Sequence, residues 1–273
     1  MRKLINWRPA KGTLAALGCA PFVLVVIAYM VASQARLAAN PNDKMLPAFA
    51  SFGAAITRVA IEPDQRTGER LLWVDTTASL RRLGLAIAIS AVIGLTLGIA
   101  LGALPIAGAS LSPLVAGVSL VPPLAILPIL FIVVGLGELS KVVLICIGIT
   151  PVITRDIEQR VREIPRELIV KAQTLGASTW QILLRVVLPQ ALPRLVSALR
   201  LGLCSAWLFL IAAEAIAAES GLGYRIFLVR RYLAMDVILP YVLWITAVAY
   251  LTDWVLDWIA RRAFRWHFLG QLQ

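Results

Sequence analysis

The chain has 273 residues, 60% of them hydrophobic, and a mean hydropathy of +0.84. Water-soluble domains use about half apolar residues, so a chain this apolar calls for lipid as its solvent. A formal charge of +11 carried with a single histidine and three cysteines argues against a histidine-based metal site, a Ser-His-Asp triad and a disulfide framework.

A transmembrane helix needs roughly 20 mostly apolar residues, and in lipid such a run is helical because its backbone must satisfy itself. Six runs qualify: residues 14–33, 83–104, 111–134, 139–154, 195–218 and 237–259. The expected fold class is all-α, a polytopic membrane protein with about six transmembrane helices. Residues 1–13 form a basic tail with Arg2, Lys3, Arg8 and Lys11. The first run is longer than a signal-peptide core and reads as a retained helix. Residues 14–82 then comprise this helix and a water-facing segment. Within that segment Phe49, Phe52, Ile56 and Val59 recur at helical spacing. They suit either a periplasmic shelf that touches a binding protein or an interfacial helix packed on its own bundle. Residues 62–70 read as a charged turn, with Asp75 and Thr76 as caps of the next span.

The second span repeats Gly94, Gly98 and Gly102, a small-residue stripe that lets helices approach closely, within a subunit or between subunits. In the third, Pro122, Pro123 and Pro128 free backbone carbonyls and bend the helix. A bend beside a translocation path suits a gate, which makes Pro122 and Pro123 candidate path residues. Next comes Gly135-Leu136-Gly137-Glu138-Leu139-Ser140-Lys141, a tight turn in which Glu138 or Ser140 serves the following helix N-terminus. The string G-x-G-E-x-S-K resembles that of the nitrate, sulfonate and taurine branch of importer permeases.

Between the fourth and fifth spans lie Arg155, Arg160, Arg162, Arg166, Lys171, Arg185, Arg194 and Arg200. Short loops rich in Lys and Arg stay in the cytoplasm. Pro165 opens a helix, Gly176 breaks its course without a Cβ clash, and Ala177 and Ser178 start a second short helix. Pro189 and Pro193 mark its approach to the fifth span. Trp180, Ile182 and Leu183 offer an apolar knob among basic neighbours, the residue mix of an interface hot spot; a hairpin lying on lipid headgroups is the other reading. Residues 170–189, V-K-A-Q-T-L-G-A-S-T-W-Q-I-L-L-R-V-V-L-P, resemble the cytoplasmic EAA loop by which permease subunits of bacterial ATP-driven importers grip their ATPase. Ala172, Gly176, Leu188 and Pro189 fall in register with that family pattern, and Val186 stands in for its Ile. Val170 and Lys171 replace the leading Glu and Ala, and Glu167, one turn earlier, offers a substitute. The resemblance implies ATPase-coupling roles for Ala172, Gly176, Ala177, Trp180, Leu188 and Pro189.

In the fifth span Glu214 is an acid deep in lipid, where charge faces a cavity or a partner. It reads either as a path residue or as a structural acid bonded to a neighbouring helix. Gly221-Leu222-Gly223-Tyr224 follows as a turn. The sixth span ends in Tyr250, Trp254 and Trp258, an interfacial aromatic belt. Beside them Asp257 and Arg261 make an i,i+4 pair. Cys19, Cys146 and Cys204 sit inside apolar runs as small hydrophobes.

The resemblance covers residues 83–259: the chain is similar to permease subunits of type I ATP-binding-cassette importers, with their MetI-like fold. Its closest look is to permeases associated with urea carboxylase, for urea- or guanidinium-type compounds. It implies a core permease domain at 83–259 with a coupling loop at 155–194, and a cytoplasmic tail at 260–273. It also implies a second permease copy in a homodimer, cytoplasmic ABC ATPase subunits, a periplasmic solute-binding protein, and residence in the bacterial inner membrane with both termini cytoplasmic. No stretch fits G-x-x-x-x-G-K-[ST]. The expectation is therefore a non-catalytic subunit that binds no cofactor or metal, contacts membrane lipid but no nucleic acid, and relies on ATP and Mg held by the ATPase. An ion-coupled secondary transporter is the alternative. It would want several intramembrane charges and a repeat, whereas a membrane-embedded enzyme would want clustered His, Asp or Cys.

Overall fold

The computed structural model describes residues 11–40, 44–65 and 68–266. Arg2, Lys3 and Arg8 of the basic tail, parts of the charged turn at 62–70, and His267 with the end of the 260–273 tail lie outside the described residues. Among those described, every regular element is helical.

The first apolar run is α1, Lys11–Ala39. Its described side chains are nearly all exposed, as suits a helix whose neighbour is lipid. It is tethered to the segment at 45–47 by the Tyr29 hydroxyl donating to the Pro47 carbonyl (2.8 Å) and the buried Ser33 hydroxyl donating to the Leu46 carbonyl (2.9 Å). The expected amphipathic helix is α2, Phe49–Ile56, continued by a π-helical turn, Thr57–Ile61. Ala55 and Val59 turn inward and share an apolar cleft of about 280 Å³ with Leu72, Tyr241 and Trp244. The segment thus packs on its own bundle.

The second span, α3, is Leu71–Ala103 and starts a full three turns ahead of the apolar run at 83. Asp75 and Thr76 are buried inside it and cap nothing; the N-cap position belongs to Arg70, which makes no side-chain cap. The third run is bent far more sharply than a kinked helix. It is α4, Pro105–Val118, and α5, Pro123–Val134, set at 93° to each other. Proline disfavours the α region for the residue before it. Pro122, which precedes Pro123, is extended accordingly (φ −66°, ψ 116°), and Pro123 opens the new helix.

Then come α6, Glu138–Arg162; α7, Arg166–Thr174; α8, Thr179–Ile182; a π-helical turn, Leu183–Val187; α9, Leu188–Ala217; α10, Leu222–Arg230; and α11, Met235–Ala263. Sequence reasoning missed α10. By length and apolarity, α1, α3, Thr179–Ala217 and α11 can each cross a membrane, and the α4–α5 pair makes a fifth. The fourth expected run is the N-terminal two-thirds of α6, a helix about 37 Å long at 1.5 Å per residue, with charges toward both ends.

The bundle centres on α3, α6 and α9. Gly94, Gly98 and Gly102 of α3 face Ile153, Ile157 and Val161 of α6, so the glycine stripe serves packing within this chain. A Cβ at Gly98 would lie 2.6 Å from Ile157 Cβ and 2.8 Å from the Thr154 carbonyl. Gly84, on the same helix, has nothing within 4 Å. Gly98→Ala is therefore expected to cost about 1–3 kcal/mol by overpacking, seen as a lower melting temperature of the detergent-solubilised protein. Gly84→Ala should leave that temperature unchanged or slightly raised.

Candidate functional site

The segment between α6 and α9 folds as an elbow closed by two complementary caps. At the end of α7 the Ala177 amide donates to the Ala172 carbonyl (3.0 Å) and the Gly176 amide to the Gln173 carbonyl (2.9 Å), with Gly176 at φ +79°. This is a Schellman closure, in which the left-handed position favours glycine. The motif glycine is thus required by backbone conformation; a Cβ there would meet nothing within 4 Å. One residue later a capping box starts α8: the Gln181 amide donates to Ser178 Oγ (3.3 Å), and the Ser178 amide to Gln181 Oε1 (2.9 Å). The string S-T-W-Q carries the signature of that box.

Trp180 is 67% exposed and Leu175 87% exposed, whereas Ile182 is buried. The apolar knob is therefore Leu175 with Trp180 and not Trp180 with Ile182 and Leu183, because α8 turns Ile182 back onto the bundle. Ala172, Ala177 and Leu188 are half-buried and Pro189 exposed, and Glu167 is exposed in the first turn of α7. Pro189 stands in the first turn of α9, just after the π turn, and Pro193 about one turn further in. Both lie within α9, and Thr179–Ala217 runs as one 39-residue helical unit through the π turn.

Ion pairs clamp α9 at both ends. Near the elbow, Arg194 makes a two-bond pair with Asp156 of α6, its Nε donating to Oδ2 at 2.7 Å. One and a half turns on, Arg200 binds Asp253 through two bonds (2.8 and 2.9 Å) and also Asp257 of α11. Asp257 keeps the expected partner Arg261 at 2.6 Å. The cross-helix role of Arg200 was missed because a partner on another helix leaves no mark in local spacing.

At the far end of α9, Glu214 has no exposed surface. Its carboxylate accepts from Ser79 Oγ (2.8 Å), Arg82 Nη1 (2.6 Å) and the Gly223 amide (2.9 Å). Arg82 also donates to the Ser220 carbonyl (2.7 Å) and, through Nε and Nη2, to Glu138 (2.5 and 2.8 Å), which pairs with Lys141 at 2.8 Å. Ser140, by contrast, bonds the Gly137 carbonyl at 2.8 Å. Asp75, fully buried, accepts from the Gly221 amide (2.9 Å), Arg225 Nε (2.8 Å) and the Tyr241 hydroxyl (3.2 Å). A Cβ on Gly221 would strike the Glu214 carboxyl at 2.5 Å. Of the two readings of Glu214, the geometry is that of the structural acid: surrounded by donors, it faces no open path in this conformation. Nor is it grouped with Pro122, exposed, and Pro123, half-buried, which stand at the α4–α5 corner.

Long apolar helices around charges that are paired inside the bundle, one broken span, and a doubly capped elbow carrying uncovered apolar side chains define a multi-pass membrane protein. The chain belongs to the family of binding-protein-dependent transport system inner membrane components, which it matches over residues 90–265. It is 39% identical over 202 residues to the taurine transport system permease protein TauC of Escherichia coli, covering 74% of this chain and 73% of that protein. With the bicarbonate transport system permease protein CmpB of Synechococcus elongatus it shares 32% over 197 residues, covering 71% and 70% respectively. Its fold is similar to a chain of the inward-facing MetNI methionine ABC transporter, with TM-score 0.58 and 26% identity, covering 70% of this chain and 96% of that one. The protein is the permease subunit of an ABC importer, in the branch that holds the taurine and sulfonate permeases.

Removing one member of a buried ion pair leaves the other uncompensated and costs about 3–5 kcal/mol. Arg82→Met is expected to destabilise by that order in detergent unfolding. Adding Glu214→Gln should recover part of the loss; strictly additive costs in the double-mutant cycle would contradict the pairing.

Proposed function

We propose that two copies of this permease assemble with two cytosolic ATPase subunits and a periplasmic binding protein, and that the elbow at residues 170–189 is the part the ATPase grips. The observation that carries this reading is the exposure of Leu175 and Trp180 on a doubly capped turn. Large apolar side chains on an otherwise polar, basic element suit insertion into a partner's cleft, and truncating such an anchor typically costs 2 kcal/mol or more. The Lys and Arg around the elbow and after the last span favour the cytoplasmic side for it and for both termini. ATP and Mg belong to the ATPase in this assembly, and the permease contributes shape and a lever.

ATP-driven closure of the ATPases would draw the two elbows together. Because α8 continues into α9, and α9 is clamped to α6, α11 and α3, the displacement would pass to the whole bundle. The path would run between the copies, past the corner at Pro122 and Pro123. Non-helical backbone at membrane depth is tolerated only where it is buried in protein or lines a water-filled cavity. The relatives named for taurine, aliphatic sulfonates and bicarbonate favour a small polar solute bearing an oxyanion, delivered by the binding protein. Purified binding protein titrated with taurine, alkanesulfonates, bicarbonate, nitrate, urea and guanidinium tests that choice; tight binding of urea or guanidinium alone would contradict it.

A β-branched residue is a conformational outlier at positive φ. Gly176→Val is expected to insert at the wild-type level while losing about tenfold or more of uptake and of binding-protein-stimulated ATP hydrolysis, the loss that 1–2 kcal/mol of left-handed strain implies. Asn tolerates that backbone region, and Gly176→Asn should retain most activity. Full transport by the Val variant would contradict the lever role.

A further inference from the structure

Given the reading of this chain as a permease for small oxyanions, we propose that Arg155 is a solute-contacting, selectivity-determining residue on the inner half of the translocation path. Beside the α4–α5 corner, α4 and α6 enclose a groove of about 800 Å³, lined among others by Ser112, Ala116, Ser119, Arg155 and Gln159. Arg155, on α6, is exposed and lines this groove. The neighbouring backbone at residues 119–122 is non-helical, and Leu120 is 79% exposed. Two independent features, a broken helix and an exposed cation, therefore face the same groove.

The acids of the groove are already engaged. Asp156 is held by Arg194, Glu158 by Arg162 at 2.6 Å and by Ser112 at 2.6 Å, and Glu163 by Arg160 at 3.6 Å. Arg155 has no carboxylate partner among the described residues. Its one hydrogen bond is Nη1 donating to Ser119 Oγ at 3.2 Å, across the groove to the end of α4. That bond holds the guanidinium at the corner and leaves most of its five donors free. A planar guanidinium matches a sulfonate or carboxylate with two parallel N–H···O bonds. The geometry thus assigns the groove a local positive site, able to draw an oxyanion past the break toward the cytoplasm without binding it at depth.

The test uses the complete transporter in liposomes, with labelled taurine as the transported probe. Arg155→Gln should lower taurine uptake about tenfold, the loss of one charge-assisted contact of about 1.4 kcal/mol. Arg155→Lys should restore a large part of the uptake. A second readout works without transport. In a background lacking Cys19, Cys146 and Cys204, Ala116→Cys is labelled with a sulfonate-bearing methanethiosulfonate and with its trimethylammonium counterpart. The sulfonate reagent should react about fivefold faster relative to free thiol, and Arg155→Gln should abolish that preference. Unchanged uptake and an unchanged labelling ratio in Arg155→Gln would overturn the assignment to Arg155 while leaving the permease reading intact. Failure of the wild-type transporter to move taurine or any other oxyanion would overturn both.

Discussion

A carboxylate sealed from water must be neutralised where it lies, and the half of this bundle remote from the elbow is organised by that requirement at Glu214. Taking an ion out of water costs several kcal/mol even after relaxation. Glu214 meets the cost with Arg82, Ser79 and the Gly223 amide. Each partner constrains something else. Arg82 and Ser79 fix how α3 passes α9. Through Glu138, Arg82 also fixes where α6 begins. The turn after α9 must bring its amides onto Asp75, Ser79 and Glu214, so Gly221 and Gly223 leave no room for side chains there. The C-terminal end of α9 is thereby tied to α3, α6 and α10 at once.

The N-terminal end of α9 is tied by a different device. Arg194 and Arg200 anchor α9 to α6 and α11, and the helix then runs on through a π turn to the elbow. A Schellman closure and a capping box meet across Gly176, Ala177 and Ser178, so the bend is held by its own backbone before any partner arrives. Trp180 is thus joined to the clamped core through continuous helix.

Five of the six runs, those in α1, α3, α4–α5, α9 and α11, are legible in the sequence because lipid imposes a simple demand, about 20 apolar residues in a row, and the elbow is legible because Gly176 and Pro165 punctuate it. Misreadings fall where that demand is met by pairing instead of by apolarity. Asp75 and Arg82 interrupt the apolar pattern, which points to a span beginning at 83, yet both are buried against Arg225 and Glu214. Arg194 and Arg200 look like topological charge in the sequence, although each holds a carboxylate on another helix. Pro122 and Pro123 announce a bend but not its size, which depends on how the two halves pack. Leu175 carries no signal at all, since only the direction of the closed turn shows it as the exposed half of the knob.

The most direct test is the accessibility of the elbow. With Trp180→Cys as the reporter in a cysteine-free protein, a membrane-impermeant thiol reagent should leave intact cells unlabelled. It should label inverted membranes stripped of the ATPase, and lose access once the ATPase is bound again. Labelling from outside the cell, or no protection by the ATPase, would contradict the account.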